Sequence, residues 1–122
     1  MFDTVLIAGL GLMGGSMAKT IKARTLSRVL VWNRTRATAE QALADGSIDA
    51  IATEALYKEA DLVIIGLYPQ ATVDWLIENM PKMKKGCVIV DMVGVKQFMV
   101  DHLEQAALDA GVHYVGGHPM AG

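Results

Sequence analysis

The chain has 122 residues, 52% hydrophobic and 20% charged, with a formal net charge of -2. That is one domain, long enough to bury a core and short for an enzyme that must hold two substrates. No apolar run approaches the roughly 18 residues of a membrane span, and no basic block offers a surface for nucleic acid.

Residues 5–8, Val-Leu-Ile-Ala, read as a short strand buried on both faces that breaks at once into glycines. A helix is expected next, with Met13, Met17, Ile21 and Ala18 on one side and Lys19, Lys22 and Arg24 on the other. Between them Gly9, Gly11 and Gly14 fit G-x-G-x-x-G, with Leu12 and Met13 inside the motif. Strand, glycine turn and helix in this order suit a dinucleotide: the first glycine makes the tight turn, the second admits a pyrophosphate, and the third lets helix and strand pack closely. The helix N-terminus adds free N–H groups and partial positive charge. A plain strand-to-helix turn is the alternative.

Residues 28–32 form the second expected strand, followed by Asn33, Arg34 and Thr35, with Thr35 as N-cap of a helix over 36–45 and Gly46 as its C′ glycine. A site for NAD usually has Asp or Glu at this strand end. Here an amide and a planar cation replace it, which favours NADP, with NAD still possible and a solvated Arg34 as the plainer reading. A third short strand is expected over 48–52 and a short helix over 54–60 with Leu56 inward. The run 62–67 is a fully apolar strand ending at Leu67, with Tyr68 and Pro69 beyond it. A helix over 70–80 should turn Val73, Leu76, Ile77 and Met80 inward, and Pro81 closes it. The run 82–85, Lys-Met-Lys-Lys, reads as a solvated loop. Strand 87–92 follows, with Cys87 as a small buried hydrophobe rather than a reactive thiol. The helix over 96–110 should bury Met99, Leu103, Ala106, Ala107 and Ala110, and a last strand, 112–115, leads into Gly-Gly-His-Pro-Met-Ala-Gly.

Strands alternating with helices through short connections predict an α/β fold: a doubly wound parallel sheet whose ligands bind beyond the carboxyl ends of the strands. The glycine turn, residues 33–35, 68–69, 91–96 and 116–122 all fall at that edge, and Leu67, where the fourth strand ends, is counted with the cofactor-binding residues. His118, between two glycines and a proline, can accept a hydroxyl proton near neutral pH, or simply bond to backbone. Lys96 either meets a substrate carboxylate or is a solvated lysine in a first helical turn. His102 and His113 read as structural or solvated, and three scattered histidines with one cysteine show no metal-ligand spacing. Asp3, where a signal peptide would be basic, points to the cytoplasm.

Gly-Leu-Gly-Leu-Met-Gly-Gly-Ser at 9–16 and Gly-Gly-His-Pro-Met-Ala-Gly at 116–122 resemble the two signatures of the prephenate dehydrogenase family. The resemblance runs through the chain in order, including 62–69 and 91–96. It implies a Rossmann-like NAD(P)-binding domain, residues 1–122, of an enzyme that oxidatively decarboxylates prephenate, or arogenate, in tyrosine biosynthesis. It makes His118 the catalytic histidine on the ring hydroxyl. It also implies a second, helical domain, through which such enzymes form homodimers and complete the substrate pocket; that domain lies outside this sequence, so these residues alone are expected to be inactive. One departure stands out: Gly94 replaces the serine that many members carry two residues before the lysine. The competing readings are a β-hydroxyacid dehydrogenase, suggested by Asn-Arg-Thr after the second strand, and a stand-alone nucleotide-sensing domain.

Overall fold

The computed structural model describes residues 2–11, 14–92 and 94–116, except for the side chain of Phe98. Runs of Val, Leu and Ile become strands, and amphipathic runs between them become helices. In chain order they are β1 (Thr4–Ala8), α1 (Gly14–Arg24), β2 (Arg28–Trp32), α2 (Arg36–Ala44), β3 (Ala50–Ile51), α3 (Glu54–Tyr57), β4 (Leu62–Ile65), α4 (Pro69–Asn79), β5 (Val88–Asp91), α5 (Gln97–Ala110) and β6 (His113–Val115). All pairings are parallel, and the sheet order is β3-β2-β1-β4-β5-β6. This is the doubly wound sheet expected from the sequence.

Alternate residues of β1, β2 and β4 enter different cores. Leu6, Ala8, Leu30, Val63, Ile65 and Ile89 pack with Tyr57 of α3, Leu76 of α4 and Leu103 of α5. Val5, Ile7, Val29, Val31 and Ile64 pack with Ala18 of α1 and Ala39 of α2. Burying each large side chain contributes about 1.5–3 kcal/mol, so strands this apolar are stable only with both faces covered. The consequence for function lies in the middle of the sheet. β1 pairs with β2 on one side and β4 on the other, while α1 and α4 leave toward opposite faces. That divergence opens a crevice at the carboxyl ends of β1 and β4.

Several boundaries and faces differ from the sequence reading. Pro69 does not merely end a strand; it occupies the first turn of α4, where its missing N–H costs nothing. Ile77 is 45% exposed, and Trp75 and Thr72 are buried instead. At about 100° per residue, the buried sector of α4 runs from Trp75 to Val73, and Ile77 falls just past its edge. Trp75 is held by rings on two other elements, Trp32 at 5.7 Å and Tyr57 at 5.6 Å. In α3, which stops at Tyr57, that tyrosine is the buried residue and Leu56 is half-buried. On α1, Met17 and Ile21 are half-buried, and Lys22 is tied to Asp49 at 2.7 Å.

Residues 82–85 are not simply solvated. Lys82 pairs with Glu54, Lys84 pairs with Asp61, and Met83 is buried. Strands β3 and β6 are shorter than expected, as fits outer strands with a neighbour on one side. No helix among the described residues is long and apolar enough to cross a membrane.

Candidate functional site

The crevice is built around the turn after β1. Gly9 adopts φ 97°, the left-handed region, and its N–H donates to the Trp32 carbonyl at 2.8 Å. A Cβ at Gly9 would lie 2.9 Å from the Gly66 carbonyl oxygen, and one at Gly14 would lie 2.0 Å from the Gly9 carbonyl oxygen. Protein contacts therefore account for both glycines. Gly11 is different. It is exposed, its φ is not positive, and a Cβ there would meet nothing within 4 Å. Neither backbone strain nor crowding among the described residues requires a glycine at 11, whereas a ligand seated against the turn would.

The end of β2 is locked to this turn. Asn33 Oδ1 accepts the Leu10 N–H at 2.8 Å, and Asn33 Nδ2 donates to the Thr35 carbonyl at 2.8 Å. The amide expected at the edge of a ribose is thus turned toward backbone. Arg34 is exposed and makes no ion pair among the described residues. Thr35 takes the N-cap position of α2, as expected, but its hydroxyl makes no capping bond.

Across the crevice the Thr72 hydroxyl donates to the Leu67 carbonyl at 3.1 Å and holds that turn in place. Tyr68, the N-cap of α4, is 72% exposed. The N-caps Thr35, Tyr68 and Lys96 all lack side-chain cap bonds, so three helix N-termini at this edge keep N–H groups free for solvent or an anion.

Beyond β5, Asp91 is fully buried. Its Oδ1 accepts the Gly94 N–H at 2.9 Å and its Oδ2 accepts the Tyr114 hydroxyl at 3.2 Å. Burial, and then the Asp91 charge, raise the Tyr114 pKa. Gly94 has φ 89°, a conformation in which a serine would be strained. Glycine at 94 therefore suits the turn that this chain makes after β5. Lys96 caps α5 rather than lying within it; it is exposed beside a cleft of ≈ 230 Å³ shared with Pro69, Gln70, Val73, Val95 and Met99. A larger hollow, ≈ 450 Å³, lies between the flanks of α1 and α2, away from the strand ends except at Leu10.

Gly9, Gly11, Gly14, Asn33, Arg34, Thr35, Leu67, Tyr68, Pro69 and Lys96 thus gather at the carboxyl edge. Leu12, Met13 and His118 lie outside the described residues. His102 and His113 are exposed, the first on α5 and the second on β6. Cys87 is buried, which pushes its thiol up to about 11, so it is not a ready nucleophile. The sequence reading missed Gly66 and Tyr114. A glycine inside an apolar strand run is the available signal for the first, since it marks close backbone approach. Nothing local marks the second.

The sequence signature of the family described as the NAD binding domain of 6-phosphogluconate dehydrogenase matches residues 4–122. The chain belongs to that family. As an NAD-binding domain it is related to prephenate dehydrogenases: that of Bacillus subtilis (strain 168) is 38% identical over 126 residues, covering 100% of this chain and 34% of the relative. The structure of prephenate dehydrogenase from Aquifex aeolicus, in complex with hydroxyphenyl propionate and NAD+, has a TM-score of 0.84 and 25% identity over 100% of this chain and 43% of that one. Mycobacterium tuberculosis 3-hydroxyisobutyrate dehydrogenase shares the fold, with a TM-score of 0.78 and 20% identity, covering 93% of this chain and 39% of that one. The NAD-binding domain described here therefore spans about a third of the curated relative and under half of either solved chain.

Proposed function

We propose that residues 1–122 form the nucleotide-binding domain of an enzyme that oxidatively decarboxylates prephenate or arogenate, with NADP favoured over NAD. The observation that carries the nucleotide reading is Gly11: a Cβ there would occupy only open space beside the turn, where a pyrophosphate would rest. The N-terminal end of α1, with its partial positive charge, would face the phosphates, Arg34 and the Thr35 hydroxyl would take a 2′-phosphate, and Tyr68 and Pro69 would flank the nucleotide from the β4 side. Leu12, Met13 and Leu67 complete the proposed lining.

The nicotinamide, when bound, supplies the hydride acceptor. His118 would take the ring hydroxyl proton, and Lys96 would hold a substrate carboxylate. Loss of carbon dioxide then follows from aromatisation. The likeness to prephenate dehydrogenases along the chain supports this reading over a β-hydroxyacid dehydrogenase, for which Asn33-Arg34-Thr35 and the shared fold speak.

Fluorescence titration with NADP+ and NAD+, followed by an assay with prephenate and arogenate in a protein of the relatives' full length, tests it. Binding of NADP+ together with NADPH formation on either substrate is expected. Turnover of a β-hydroxyacid instead would favour the second reading, and no nucleotide binding would sink both. Residues 1–122 alone should bind nucleotide but turn over poorly, because positioning the substrate can account for roughly 7–11 kcal/mol of barrier and few groups here can supply it.

A further inference from the structure

The side chain of Asn33 reaches both halves of the nucleotide crevice. Gly9 makes the last regular rung between β1 and β2, donating to Trp32. The next residue, Leu10, is only 8% exposed, so its N–H has little access to water and needs a partner inside the protein. Asn33 Oδ1 provides it at 2.8 Å and extends the ladder by one rung made of side chain. The other end of the same planar amide donates to the Thr35 carbonyl at 2.8 Å and closes the turn that carries Arg34 and Thr35. The two partners fix the amide's orientation, because an N–H can meet only the oxygen and a carbonyl only the nitrogen.

Aspartate could accept at the first position and not donate at the second; serine is too short for either. The residue type is therefore required by two backbone groups 25 residues apart, Leu10 and Thr35, with no ligand contact involved. We propose that Asn33 is a positioning residue that holds the pyrophosphate turn and the 2′-phosphate turn in one register, so that affinity for both parts of the nucleotide depends on it. Cofactor choice then rests on Arg34 and Thr35, which the brace presents. This rests on the nucleotide reading above and adds a role for a residue that need not touch the ligand.

The test compares Asn33→Ala and Asn33→Asp in the 122-residue chain, by titration with NAD+ and with NADP+. Losing both bonds should weaken both nucleotides about tenfold. Asn33→Asp keeps the acceptor for Leu10 and loses the donor to Thr35, so NAD+ affinity should recover to near the original level while NADP+ stays at least about tenfold weak. Loss of affinity through general destabilisation would not separate the two cofactors in this way. Affinities within about twofold of the unaltered chain in Asn33→Ala, or no recovery for NAD+ in Asn33→Asp, would overturn the proposal.

Amide hydrogen exchange without nucleotide keeps the geometry testable even if binding is lost. Exchange at Leu10 should accelerate about tenfold in Asn33→Ala, with β4 amides unchanged. Unchanged exchange at Leu10 would mean that the brace does not exist, whereas an accelerated Leu10 in a chain that binds neither nucleotide would remove the nucleotide reading and leave the brace.

Discussion

Gly14 lies so close to Gly9 that a Cβ at position 14 would stand 2.0 Å from the Gly9 carbonyl oxygen. The obstacle is backbone, so no rotamer change relieves it, and α1 would have to move off β1. Gly14→Ala should therefore lower stability by about 3 kcal/mol or more. Gly11→Ala should leave stability within about 0.5 kcal/mol and weaken NADP+ at least tenfold, since the added methyl meets only the ligand's space. Urea unfolding and nucleotide titration of both variants check this. A Gly11→Ala chain that binds as before would place the nucleotide elsewhere.

Arg34 faces solvent beside an N-cap whose hydroxyl is uncommitted. A hydrogen bond from a guanidinium to a phosphate is worth roughly 1.5–3 kcal/mol, so Arg34→Ala should weaken NADP+ about ten- to a hundredfold and leave NAD+ nearly unchanged. The preference should also shrink as salt rises, because this contact is exposed. Equal losses for the two cofactors would show that Arg34 does not read the 2′ position.

The sheet was legible because its strands are short apolar runs punctuated by Gly, Pro and capping residues, and Arg28–Trp32 has the bounds its pattern suggested. What escaped was set by tertiary contact. Trp75 and Ile77 flank opposite edges of the buried sector of α4, and which edge is covered depends on Trp32 and Tyr57, which arrive from other parts of the chain. Asn33 could be placed at the crevice from its position after β2. Its partners could not, since they depend on how far the glycine turn folds back. Tyr114 meets Asp91 across 23 residues, and no local pattern encodes that pairing.

Stability should fall at both ends of the pH range. Burial opposes ionisation of Asp49, but its bonds to Lys22 and the Val29 N–H prevail and hold it below the usual carboxylate range. Asp61 is held low by Lys84 and the Thr4 and Asp3 N–H groups. A carboxyl with a depressed folded pKa adds stability above its unfolded value of about 3.9, and that contribution is lost as pH drops through the folded value. At the alkaline end Cys87, raised by burial to about 11, keeps its proton when the unfolded chain has lost it. Between about pH 9 and 11 the folded state therefore binds more protons, and stability declines by up to about 1.4 kcal/mol per unit of pH. Tyr57, raised by burial to about 12, extends the decline above pH 10. Urea midpoints from pH 8.5 to 10 should slope downward and flatten in Cys87→Ala; equal slopes would assign the loss to other groups.

The Tyr114 hydroxyl and the Gly94 N–H meet opposite oxygens of one buried carboxylate, so Asp91 joins the turn after β5 to strand β6. Tyr114→Phe removes the hydroxyl alone and keeps the ring. A hydrogen bond to a buried charge contributes about 1.5–3 kcal/mol, and the loss should appear as reduced stability of that size. The ADP half of a nucleotide would lie over β1 and β2, on the other side of the sheet's centre, so ADP affinity should stay within about twofold. Amide exchange should speed up at Gly94 and Lys96, whose turn the carboxylate anchors, and remain slow at Leu10. Uniform acceleration across the sheet would mean that Tyr114 supports the fold as a whole. Acceleration confined to residues 94–96 would show that the turn bearing Lys96 is set from β6, the strand that leads toward His118.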